Sequence, residues 1–124
     1  MNNQQKQLLT DNGVDTASGL ECFMGIEKMY EKYLLKFLED PTFSALFNAV
    51  DKQEREAARI AAHSLKSITG TLGLTNLHQG VKAVELDFKE GRWEDGIERI
   101  PEIKEEYRRI KNVFEAFKQL HDAR

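Results

Sequence analysis

The stretch Ala61-Ala62-His63-Ser64-Leu65-Lys66-Ser67-Ile68-Thr69-Gly70-Thr71-Leu72-Gly73-Leu74 holds the residues best suited to chemistry in this 124-residue chain. At about 100° per residue, a helix through it centres its apolar stripe near Leu65 and Leu72, and His63 then falls about 180° away, facing water. Glu56, Arg59, Ser67 and Gly70 share the direction of His63 to within roughly 40°, and Lys66 stands one turn on at i+3. A solvent-exposed imidazole titrates near about 6.5, so close to neutrality it is largely uncharged and nucleophilic. His63 thus reads as an exposed imidazole with a cation beside it and small side chains beyond it. Geometry alone leaves open the plainer reading, a surface histidine with no role.

Other chemistries lack their residues. A di-iron bundle needs Glu-x-x-His on two helices, because ligands at i and i+3 face one metal, and none of His63, His78 and His121 has Glu three residues before it. Nor are the three histidines close enough in sequence to form a local ligand pair. The chain has no Gly-rich phosphate loop, no HExxH and no GxSxG. An autonomous enzyme is not expected, and no cofactor or metal is called for.

The elements that position His63 read as helices throughout, with no alternating strand pattern and no internal repeat. Residues 1–12 are polar and Gln/Asn-rich, which predicts a flexible, frayed segment; the globular domain is expected over 13–121. Asp15 or Thr16 suits the cap of a short helix carrying Leu20, Phe23 and Met24, with Gly25 as its stop. Ile26, Tyr30, Tyr33 and Phe37 then recur at helical spacing until Asp40-Pro41 interrupts, so residues 43–50 read as a separate or kinked continuation. Asp51 and Glu54 resemble a capping box before a helix carrying Ala58, Ala61, Leu65, Ile68 and Leu72. Gly73 ends or bends that helix. Leu77, Val81, Val84 and Phe88 mark the next, with Gly91 as its stop, and a turn anchored by Trp93 leads to Pro101 and a last helix carrying Ile103, Tyr107, Ile110, Phe114 and Phe117. Four long helices with short connections predict an all-α fold, an antiparallel four-helix bundle with a short N-terminal lid helix.

Composition agrees with one folded domain. Leu, Ile, Val and Phe make up 32 of 124 residues, enough for a core. The 18 Lys and Arg interleave with 21 Asp and Glu for a net charge of -3, which reads as a solvated helix surface and excludes a basic track for nucleic acid. The single cysteine, Cys22, lies among apolar residues and reads as a buried thiol. With neither a membrane span nor a signal peptide in view, the expected setting is the cytoplasm.

The segment from His63 resembles the signature of histidine-containing phosphotransfer (HPt) domains, His-x-Leu-Lys-Gly followed by small residues and Leu-Gly. Here it stands as His63-Ser64-Leu65-Lys66-Ser67, then Gly70 and Leu72-Gly73-Leu74. Gly13-Val14-Asp15 with Gly19-Leu20, through Tyr30 to Phe37-Leu38, is similar to the family's opening. The resemblance implies that His63 accepts a phosphoryl group from the phospho-aspartate of a receiver domain and passes it to another. It also implies that Lys66 helps hold the phosphoryl oxygens, and that Arg59, Ser64, Ser67, Gly70 and Thr71 face the partner. That partner would be a response-regulator receiver, a hybrid sensor histidine kinase or both, and the receiver would supply Mg²⁺ while this chain works as a monomer.

Ser67 departs from the family's usual Gly; still small, it either lends the phosphoryl group a hydroxyl or slightly crowds the partner. His-x-Leu-Lys-Ser also resembles the phosphorylated helix of histidine-kinase dimerisation domains, but Ile68 stands where that pattern has Pro. A docking module that uses the same face without transferring phosphate is a further alternative. Leu20, Phe23 and Met24 are candidates for the partner surface as well as for the core, and His78 and His121 are given no function.

Overall fold

The computed structural model describes residues 1–122, and among them seven helices follow one another: α1 (Asn3–Asp11), α2 (Thr16–Cys22), α3 (Glu27–Phe37), α4 (Thr42–Asp51), α5 (Arg55–Leu72), α6 (Thr75–Lys89) and α7 (Trp93–Asp122). The apolar periodicity explains the assembly. Leu34, Phe37, Phe43, Leu46, Ala58, Leu65, Leu72, Leu77, Val81, Val84, Ile103, Ile110, Phe114 and Phe117 all turn into one core. Burying each larger side chain contributes about 2 kcal/mol.

Helices α5, α6 and α7 pack side by side as the main layers, antiparallel because the connections between them are only two or three residues long. The fourth position is a broken rod. Helices α3 and α4 run along α7 in succession: Phe37 meets Phe114 and Tyr107 edge-on, Phe43 stacks on Tyr107 at 4.2 Å, and His121 meets Glu31 at 3.2 Å. The break falls at Asp40-Pro41, as the sequence predicts, and Asp40 accepts a hydrogen bond from the backbone N–H of Thr42 at 2.8 Å.

The lid is α2. Asp15 caps it, its side chain accepting from the Ser18 N–H at 3.0 Å. It closes on the α5–α6 turn, where the Asp15 N–H donates to the Gly73 carbonyl at 2.8 Å and Val14 bridges Leu74. Gly73 is required there: it sits in the left-handed region at φ 77°, and a Cβ on it would lie 2.3 Å from the Asp15 carbonyl oxygen. Beneath α2, the buried Tyr30 donates its hydroxyl to the Leu72 carbonyl at 2.8 Å, satisfying an orphan group at the end of α5. Burial first, then the Asp15 carboxylate, push the phenol's pKa upward, so it stays a donor.

Several sequence expectations are corrected. Within residues 1–12, Asn3–Asp11 form α1 instead of a frayed end: Asn2 and Gln5 bond reciprocally as a capping box, Leu9 and Gln5 are buried, and Arg109 of α7 donates to the Asn12 carbonyl at 2.9 Å. Two buried residues sufficed to dock a polar segment. Cys22 is exposed, since α2 turns its small Gly19 inward against Tyr30 instead. Helix α2 ends at Cys22, before Gly25, because Met24 and Gly25 both take positive φ.

Asp51 ends α4 and caps nothing; Glu54 is the N-cap of α5, without a side-chain bond. In α5 the buried seam is Ala58, Ala61, Ala62, Leu65, Thr69 and Leu72, with Ile68 half-buried at its edge. Pro101 does not begin the last helix; α7 already starts at Trp93 and carries Pro101 within it. Contacts on both sides of the proline hold it: Trp93 packs on Phe88 at 4.8 Å, Arg99 pairs with the buried Asp87 at 2.7 Å, and Ile100 and Ile103 enter the core.

Candidate functional site

His63 lies on the solvent face of α5, its side chain 61% exposed, because Leu65 and Leu72 claim the opposite face for the core. It is not alone. Nδ1 lies 3.0 Å from Oε1 of Glu85 on α6, and Lys66 donates from Nζ to the other carboxylate oxygen, Oε2, also at 3.0 Å. Glu85 is only 7% exposed, a buried charge whose two oxygens are both used. The bond from His63, against the opposing effect of burial and with help from Lys66, holds its carboxyl below the ordinary carboxylate range, so it is ionised at neutral pH.

An ionised carboxylate only accepts. The proton of a neutral His63 ring is therefore on Nδ1, and the lone pair is on Nε2, the nitrogen turned away from Glu85. Arg59, one turn earlier, pairs with Glu56 and also feels the charge of Glu85. Sequence reasoning missed Glu85. The signal available was a glutamate among the buried core positions of α6, one residue after Val84, where a solvated face would not place it.

The other expected site residues divide over two depressions. Ser67 and Thr71 stand on a ridge shared by both. On one side, a groove of about 380 Å³ is lined by Phe23, Tyr33, Lys36, Phe37, Asp40, Ile68 and Leu72. Met24, 87% exposed, and Met29 lie on the neighbouring α2–α3 surface. On the other, an open alcove of about 510 Å³ joins Lys66 and Gly70 to Cys22, His78 and Lys82. Ser64 is exposed beside His63. Leu20 is half-buried against the core.

His78, given no role from the sequence, supports this face from behind. Its Nδ1 donates to the Lys66 carbonyl at 3.0 Å and lies 3.2 Å from the Thr69 hydroxyl, which itself donates to Leu65 O. The space beside Gly70, a residue expected to face the partner, holds the His78 ring. Among the described residues no three His, Cys, Asp or Glu side chains converge as metal ligands, and no helix is long and apolar enough to cross a membrane.

Comparison with known protein families matches residues 34–113, more than half of the chain, to the Hpt domain. The match runs from α3 into α7 and contains His63, Lys66 and Glu85. No curated protein and no solved structure matches the chain. The fold is the helical bundle of a phosphocarrier class, proteins that hand on a phosphoryl group without being enzymes in their own right. The chain belongs to the Hpt domain family, whose members perform histidine phosphotransfer in phosphorelays.

Proposed function

We propose that this chain is a phosphorelay intermediate in which His63 takes a phosphoryl group from the phospho-aspartate of one receiver domain and yields it to another. The observation that carries the reading is the Glu85 tether on Nδ1, which leaves the Nε2 lone pair outward on an exposed helix face. In the loading step Nε2 attacks phosphorus, the P–O bond to the receiver aspartate breaks, and its electron pair returns to that carboxylate. The ring then carries a positive charge with its proton still on Nδ1, against the Glu85 carboxylate. Lys66 turns its ammonium to the phosphoryl oxygens as a point charge. The receiver supplies Mg²⁺, and this chain supplies no cofactor.

Partner contact involves Arg59, Ser64, Ser67, Gly70 and Thr71. The apolar groove beside Ser67 and Thr71 gives the receiver something to bury, and Phe23 reaches it from the end of α2. A monomeric state and a cytoplasmic setting belong to the same reading. The experiment is to incubate the protein with a phosphorylated receiver and Mg²⁺. Acid-labile, alkali-stable label is expected on the wild type and none on His63→Gln of unchanged helix content. Label persisting on the variant refutes His63 as acceptor, and a wild type labelled by no receiver of its genome reduces the chain to a docking module.

A further inference from the structure

We infer that Glu85 sets the rate at which phosphorylated His63 gives up its phosphoryl group, by holding a proton on Nδ1; the inference rests on the reading of His63 as phosphoacceptor. The chemistry is that of a leaving group. When the P–Nε2 bond breaks, its electron pair stays on Nε2. A ring protonated at Nδ1 leaves as neutral imidazole, whereas an unprotonated ring must leave as imidazolate, a far poorer leaving group. The acceptor, water or a receiver carboxylate, forms the new P–O bond in either case.

Three features of the site fix the proton. Glu85 Oε1 is 3.0 Å from Nδ1. Its carboxylate is almost fully buried, so the charge is shielded from water on the Glu85 side of the pairing, while the ring stands exposed. Lys66 occupies the second oxygen in the unloaded site. A phosphoryl group on Nε2 competes for that ammonium, which leaves the Glu85 charge more fully committed to the ring. The charges facing His63 are Glu85 from α6 and, on α5 itself, Lys66 and the Arg59–Glu56 pair; Lys82 of α6 and Cys22 of α2 lie in the alcove beyond Lys66.

Glu85→Gln separates position from charge. Its amide can still meet Nδ1 from the same place but carries no negative charge, and because discharge is timed on protein already loaded, slower loading does not enter the result. An opposite charge beside the ring favours its protonated form. The pH profile of discharge should therefore move to lower pH, and at mildly alkaline pH the variant should lose phosphate more slowly.

The test loads wild type and Glu85→Gln with potassium phosphoramidate, without any receiver, and follows release of inorganic phosphate from mild acid to mild alkali, with helix content checked by circular dichroism. A profile displaced to lower pH in the variant is the expected result. Superimposable profiles overturn the inference while leaving His63 as acceptor. Failure of phosphoramidate to label His63 in the wild type overturns both. Should the variant lose its helix content, the ¹⁵N resonance of Nδ1 in loaded wild type decides: deprotonation at the same pH as free Nε2-phosphohistidine refutes the role of Glu85.

Discussion

A Cβ placed on Gly70 would lie 3.0 Å from Cε1 of His78, so these two residues of α5 and α6 share one space. Replacing Gly70 by Ala in a helix ordinarily stabilises by about 0.5–1 kcal/mol. Here the ring must give way by a few tenths of an ångström and loosen its bond to the Lys66 carbonyl. Gly70→Ala should therefore fail to stabilise the wild type, yet stabilise His78→Ala by about 1 kcal/mol. A double-mutant cycle by urea denaturation measures the coupling; additivity would contradict it.

Lys66→Ala should lower the rate of loading from a phosphorylated receiver by about tenfold to a hundredfold, the worth of one hydrogen bond to a charged group. The melting temperature should also fall by a few degrees, since losing Lys66 leaves one oxygen of the buried Glu85 without its partner, a cost of about 1–2 kcal/mol. Single-turnover labelling beside thermal unfolding separates these effects, and equal loading by variant and wild type would remove Lys66 from the site.

The lid should respond to two substitutions that never touch His63. Tyr30→Phe strands the buried Leu72 carbonyl and should cost about 1–2 kcal/mol. Gly19→Ala would set a Cβ 2.5 Å from the Tyr30 ring and should cost about 2 kcal/mol or more. Denaturant midpoints check both.

Acid should unfold the bundle through its buried carboxylates. Burial alone would push the pKa of Asp87 up, but bonds from Arg99 and Arg92 hold it below the ordinary range, and Glu85 is lowered likewise. A carboxylate with a depressed folded value contributes stability that is complete above its unfolded value, near about 4, and is lost as pH falls through the folded one. Stability should thus be flat from neutrality down to about pH 5 and fall below it. Asp87→Asn should cost about 2 kcal/mol at neutral pH and less in acid, read from urea midpoints across pH.

The sequence carries the parts of this molecule that depend on periodicity within one helix. The buried faces of α5 and α6, the exposure of His63 and the break at Asp40-Pro41 follow from spacing and from one proline. What spacing does not carry is any contact between helices. Glu85 looks like one acidic residue among many until α6 is laid against α5, and His78 gains a partner only through the Lys66 carbonyl. The helical state of residues 3–11 depends on α7 as a platform, through Arg109 and the burial of Leu9. Pro101 misled because a proline that could open a helix is held inside one by Trp93 and the Asp87 pairings.

The turn between α5 and α6 is a phasing element. Glu85 stands 22 residues after His63 in the chain, and only Gly73 and Leu74 lie outside helix between them. One residue added there would release the fixed phase of α6 against α5, so that carboxylate and imidazole would no longer be held together while both helices kept their length. The count of residues in that connection is therefore part of the chemistry, and the left-handed glycine that fixes it is as much a component of the reactive centre as the histidine.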